Sequence, residues 1–355
     1  EEDVTSYIAY MGEDSIAFTA MDTVEGRFNT RTTIDSLNNG TDYWFYVTAV
    51  DTAGYESSPT FHAQTSPFFQ GPVWLVDADN GSSNGEGSPE DPLKYIRDAI
   101  EESADGDTIM LMPGTYDHSK NRNLDFQYNR DVWQDGIRNL TLMSQYGPDT
   151  TIIDLSGNDF IDLINGETDS RIEGLTIQNS SSGAITVWSN SSVEINNCIF
   201  LNNSNNNSDG GALDIQETNN NVFVSNTLFK GNSSSSRGGA ISISMNGTDV
   251  AVVNCIFDGN TANGAGGAIG QDNNSNLLVV NSLFLDNHSQ TDNAGGINTW
   301  APSYGGNTEI VNSIFINNTN NTGSDADINS SNVYADHCIL QSVNSPAFNT
   351  GDNYV

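Results

Sequence analysis

Asn197-Cys-Ile-Phe-Leu-Asn-Asn203 is a motif that the chain repeats. It returns as Asn226–Asn232, Asn254–Asn260, Asn281–Asn287 and Asn312–Asn318, with a decayed copy at His337-Cys-Ile-Leu340. A second element, Gly-Gly-Ala, follows at Gly210, Gly238 and Gly266, with Gly295-Gly-Ile297 as a variant. Phe200, Phe229, Phe257, Phe284 and Phe315 lie 29, 28, 27 and 31 residues apart. A fixed period in the twenties means stacked supersecondary units. Between the motifs run short stretches of period-two alternation broken by Asn and Gly, with no helical pattern.

These features predict an all-β parallel solenoid of about nine to ten coils, with each coil paired to the next at about 4.8 Å. The five phenylalanines are expected to stack inside it. The Asn closing each motif (Asn203, Asn232, Asn260, Asn287 and Asn318) is expected to bond backbone at one corner of every coil. The Gly pairs suit corners closed to any residue with a Cβ. Cys198 and Cys255 fall two coils apart in one column, about 10 Å, too far for a disulfide. Cys198, Cys255 and Cys338 are read as small buried residues. No Cys/His cluster suggests zinc, and the four histidines are far apart in sequence.

Composition agrees with this architecture. The 355 residues carry 11 Lys or Arg against 46 Asp or Glu, a formal charge of −35, yet only 16% are charged. Asn, 47 in number, takes the place of the missing bases. Such a surface repels phosphates and anionic lipid, which argues against nucleic acid partners. No apolar run approaches the roughly 18–20 residues of a membrane span, so no membrane insertion is expected within this segment.

The chain before the repeats reads as two parts. In residues 1–66, strands are expected at Tyr7–Tyr10, Ser15–Ala20 and Tyr43–Val50, with a turn at Asp51–Gly54. Leu37-Asn-Asn-Gly-Thr-Asp-Tyr43 and Ala49-Val-Asp-Thr-Ala-Gly-Tyr-Glu-Ser57 resemble the fibronectin type III family, whose tyrosine corner pins a turn through the Tyr hydroxyl. The resemblance covers a partial domain, short of its first strands. It implies a fragment of a longer secreted chain; the alternative is that a neighbouring subunit donates the missing strands. Residues 67–72 form a linker. Residues 73–116 hold a strand (73–76), an Asp/Asn/Gly loop and an amphipathic helix over 89–104, with Ser88 as N-cap and Gly106 as stop. Residues 117–355 form the coil, its repeats clearest over 170–340.

The helix, Gly106-Asp-Thr-Ile, Pro113-Gly-Thr-Tyr116 and the repeats resemble the pectin-lyase-like superfamily of right-handed parallel β-helices. More narrowly, they resemble bacterial surface proteins that share their repeats with polymorphic outer-membrane proteins. The resemblance implies that the helix caps the N-terminal end of the coil. It also implies that a lyase on this fold would need a base and a cation or Ca²⁺ to neutralise a uronate.

Beyond Arg171 the only strong bases are Lys230 and Arg237, which makes them the catalytic candidates. Register offers a plainer role, ion pairs with the residues one coil away, Lys230 with Asp258 and Arg237 with Asp209. Asp214 and Asp272 fall in columns offset by about two residues, a poor match for paired catalytic carboxylates. Trp188, Gln216, Ser244, Asp272 and, with one residue skipped, Trp300 fall in one outward column. Trp188, Asp214, Gln216, Asp272 and Trp300 are the ligand-binding candidates for a sugar-stacking groove. Asp77 and Asp79 are the candidates for Ca²⁺. Sequons at Asn139, Asn190, Asn246 and Asn287 suit glycosylation. The leading expectation is a non-catalytic extracellular or cell-surface protein for adhesion, display or assembly that contacts glycans or other copies or domains of the same surface protein. The alternative is a polysaccharide lyase or other carbohydrate-active enzyme.

Overall fold

The Asn that opens each motif turns the chain. Asn197, Asn226, Asn254, Asn281 and Asn312 all take left-handed backbone, with φ between 50° and 55°, a region Asn enters more readily than most residues. A second left-handed corner precedes each closing Asn, at Asn202, Gly231, Gly259, Asp286 and Asn317. Two fixed corners per repeat force successive strands into the same three directions. The strands therefore pile into three parallel walls.

The computed structural model describes residues 4–29, 31–38, 41–67, 69–127, 138–188, 190–244, 247–272, 274–291, 293–300, 307–323, 326–329, 333–341, 343–344 and 348–350. Two compact units divide at residues 70 and 71. The second unit is an all-β parallel solenoid whose walls hold eleven, eight and nine strands among the described residues. About six turns, starting at Ser170, carry the regular repeat. In the first wall, Ser192–Asn196 pairs with Asn221–Ser225, and that with Asp249–Val253. The second wall stacks Ile199–Leu201, Leu228–Lys230, Ile256–Asp258, Leu283–Leu285 and Ile314–Ile316. The third stacks Ile185–Trp188, Leu213–Gln216, Ile241–Ile243, Ile269–Asp272 and Ile297–Trp300. A short fourth sheet of two-residue strands fills the corner between the second and third walls.

Inside, like meets like. Phe200, Phe229, Phe257, Phe284 and Phe315 are fully buried, with successive ring centroids 5.0, 4.8, 4.6 and 4.4 Å apart and planes within 5° of parallel. Each buried ring contributes about 1.5–3 kcal/mol of transfer free energy, and stacking adds about 0.5–1.5 kcal/mol per pair. Beside them runs the amide ladder. Asn232 Nδ2 donates to Phe200 O at 3.0 Å, and its Oδ1 accepts from Asn203 N at 3.0 Å. Asn260 and Asn287 repeat the pattern. The left-handed corners and the bonding amides are thus different residues of one motif.

The Gly pairs also divide their work. Gly210, Gly238 and Gly266 have φ of 63°, 61° and 73°, whereas a Cβ on Gly239 would collide with the carbonyl oxygen of Gly267 in the next coil. The thiols join a column of small hydroxyls. Cys198, Thr227, Cys255, Ser282 and Ser313 each direct a side-chain donor to the carbonyl two residues earlier. Cys198, Cys255 and Cys338 are buried thiols, and burial pushes those of Cys198 and Cys255 up to about 12 and about 11.

The helix is shorter than its sequence suggests. It spans Ile96–Glu102, and Ser88 is not its N-cap. Pro89–Tyr95 stays out of the helix because Leu93 is held in the strand direction, its N–H on Leu75 O and its carbonyl on Asp77 N. Ser88 Oγ instead accepts from Asp91 N in the loop. Asn121 Oδ1 accepts the Ile96 N–H, and Arg138 Nη1 donates to Ile100 O and Ser103 O at the other end. Ile96, Ala99 and Ile100 are buried against Val73–Val76 and Thr108–Leu111.

The first unit is a four-stranded antiparallel sheet, ordered Thr19–Glu25, Val4–Gly12, Tyr43–Asp51 and Ala63–Thr65. The Tyr43 hydroxyl accepts the Asn38 N–H at 3.1 Å. The strand expected at Ser15–Ala20 begins only at Thr19. Asp14 Oδ1 accepts from Ile16 N and Ala17 N, which curls those residues into a turn.

Candidate functional site

Register in the third wall places the outward column. Trp188 pairs with Gln216, and Asp272 pairs with Trp300. Ser244 stands between the two pairs, its N–H donating to Ile215 O at 2.8 Å, but it is buried and not outward as its column position suggests. Three steps of about 4.8 Å put Trp188 and Asp272 roughly 14 Å apart along the coil axis. Trp188 is 39% exposed, a large ring left open to solvent. The backbone of Trp300 lies in the column, but its side chain is outside the described residues.

Beside this column Arg237 is clamped. Its Nη2 lies 2.7 Å from Asp209 Oδ2, its Nη1 bonds the Asp272 carboxylate, and its own N–H donates to Asp209 Oδ1 at 2.8 Å. Arg237 is 27% exposed, so this is a half-buried three-membered cluster and not the exposed single pair that register alone suggested. Burial disfavours the guanidinium's charge, but the bonds to Asp209 and Asp272 outweigh it and raise the Arg237 pKa. At Asp209, burial works against the charge, but bonds from Arg237 and Ser236 outweigh it and lower the pKa.

Asp214 departs from its expected outward, ligand-facing place. It is 3% exposed because the left-handed Gly210 folds directly over it; a Cβ there would stand 2.8 Å from Asp214 Cβ. Asp214 Oδ2 accepts Gln216 Nε2 at 2.5 Å, and Oδ1 has no hydrogen-bond partner. Burial, reinforced by the nearby charge of Asp209, raises its pKa to about 7. The covered carboxyl therefore holds the Gln216 amide from two residues earlier on the same strand, and Gln216 stands in register with Trp188.

The other candidates are kept apart. Lys230 stands on the outer face of the second wall, 2.6 Å from Asp258 Oδ2 one coil on, and is 54% exposed. Arg237 belongs to the loop entering the third wall, so each catalytic candidate has its own carboxylate partners. Asp77 is engaged in its own turn, with Oδ1 accepting from Asp79 N and Asn80 N and Oδ2 from Asn80 Nδ2. Those bonds, with Lys94, overcome its burial and lower its pKa. Among the described residues, no group of three or more His, Cys, Asp or Glu is placed to hold a metal ion. Of the sequons, Asn287 is fully buried in the amide ladder and closed to a glycan, Asn190 is exposed, and Asn246 lies outside the described residues.

Sequence reasoning missed a shallow trough on the first wall, about 400 Å³, bordered by Asn221, Ala251, Asn276, Leu278 and Glu309. Its signal is a size change in one column. Phe223, Ala251 and Leu278 are consecutive in register, and the missing ring at Ala251 opens the trough.

No protein-family model matches the chain, and no curated protein does. Several solved structures share its architecture at low identity. The pectate lyase Pel9A is 13% identical at a TM-score of 0.49, covering 81% of this chain and 79% of that one. A rhamnogalacturonan lyase is 12% identical at 0.43, covering 80% and 90%. The pectin methylesterase from Aspergillus niger is 12% identical at 0.40, covering 81% and 82%. Among the described residues no helix is long and apolar enough to cross a membrane.

Proposed function

We propose that the chain is a non-catalytic extracellular or cell-surface β-helix that serves adhesion, display or assembly and binds glycans along its third wall. The observation that carries this reading is the column itself. A half-exposed Trp188 ring, the Gln216 amide and the Asp272 carboxylate stand in one column at coil spacing, with the buried Ser244 between them. An open indole face takes the C–H side of a sugar, and amide and carboxylate groups take its hydroxyls. Asp214, two residues before Gln216 on the same strand, acts as a positioning residue for Gln216. Exposed Ile256, Ile314 and Ile316 on the second wall support contacts with other copies or domains.

Against the lyase alternative stands the engagement of both bases. A general base must reach a substrate proton, and Lys230 and Arg237 each face carboxylates instead. The test is a glycan array probed with the purified chain and with Trp188→Ala. The reading expects hits that the variant loses, with no unsaturated product formed from uronans. Release of unsaturated product that stops in Lys230→Ala or Arg237→Ala would replace it with the lyase.

A further inference from the structure

Among the described residues, Arg237 is the cation that bonds a carboxylate of the third-wall column. Beyond Arg171 the sequence holds only Lys230 besides it, and Lys230 faces outward from the second wall. Yet its guanidinium is held from two sides, by Asp209 before it and Asp272 after it. Formally the cluster sums to −1, one positive charge against two negative. Asp214, Coulombically coupled to both Asp209 and Arg237, adds a further negative charge when ionised.

An acidic sugar reaching Asp272 would have to displace a preformed carboxylate from Arg237. It would do so inside a net negative field, on a chain of formal charge −35. A sugar bearing hydroxyls alone meets no such barrier. Its O–H groups can donate to Gln216 Oε1, while Gln216 Nε2 stays on Asp214. Resting on the glycan reading of this column, we infer that the site selects glycans without carboxylate or sulfate substituents, and that Asp209 and Asp272 enforce the choice by closing Arg237.

The experiment has two arms. An array of neutral, uronate-bearing and sulfated glycans is probed with the wild-type chain and Trp188→Ala. Trp188-dependent hits confined to neutral glycans are expected. Trp188-dependent hits on uronates or sulfated sugars would overturn the selectivity while leaving the glycan reading intact. If no hit depends on Trp188, both fail. In the second arm, the Asp209→Asn/Asp272→Asn double variant releases the guanidinium and should bind oligogalacturonate about tenfold or more tighter than wild type. A folded double variant with no gain would remove the enforcing role from the two aspartates. If the double variant does not fold, Asp209→Asn alone and the wild-type array still decide.

Discussion

Asn232 Oδ1 accepts two hydrogen bonds from Asn203, one turn earlier, from its backbone N–H at 3.0 Å and from its side-chain amide at 3.2 Å. Both residues are fully buried. Asn232→Leu therefore strands the Asn203 donors and Phe200 O in a dry corner, each unsatisfied group costing about 1–3 kcal/mol. The expected result is a marked drop in the urea midpoint of the solenoid. Asn226→Ala removes a solvent-side corner residue instead and should cost much less.

The phenylalanine stack makes a graded prediction. Phe257 has a ring on each side, at 4.8 and 4.6 Å, whereas Phe315 has a described ring partner on one side, at 4.4 Å. Phe257→Ala should cost about 3–5 kcal/mol and Phe257→Leu distinctly less. Phe315→Ala should fall below Phe257→Ala by roughly one stacking contact. Equal losses at the two sites, measured by denaturant unfolding, would mean that stacking adds nothing to burial.

Asp214 ties stability to pH. Its folded pKa, about 7, lies above the roughly 3.9 of an unfolded Asp, so the folded state holds its proton where the unfolded state has lost it. The contribution is complete below pH ~4 and disappears as pH rises through about 7, amounting to at most about 4 kcal/mol. Comparing unfolding midpoints at pH 5 and pH 8 checks this. Asp214→Asn should flatten the difference, since the amide keeps the volume and cannot ionise.

Lys230 predicts a small effect. Its pair with Asp258 is solvent-exposed, and such pairs contribute about 0–1 kcal/mol. Lys230→Ala should shift the midpoint by no more than that, and the shift should shrink in high salt. Any larger change would mean that the pair organises the second wall.

Much of this architecture was legible because each repeat packs against its own copy. Once Phe200, Phe229 and Phe257 are aligned, the neighbour of every strand residue can be counted off. That is how Lys230 meets Asp258 and Trp188 meets Gln216. What the repeat hid were the places where a loop leaves the period. The spacing puts Asp214 on the outward side, but only the path of Gly210 across it makes it a buried acid with an unpartnered oxygen. The column positions of Asp209 and Asp272 do not reveal that Arg237 reaches both. Leu93 sits on a helical apolar face in the sequence, yet its backbone bonds to Leu75 and Asp77 keep the first turns from forming.

The repeating residues thus dictated the walls, the corners and the two internal ladders, because local backbone preference and side-chain period recur identically in every coil. Tertiary structure alone decided which outward groups are covered and which charges are already matched. Those outcomes depend on non-periodic loop paths, and the accessibility of Trp188, Asp214 and Arg237 follows from them.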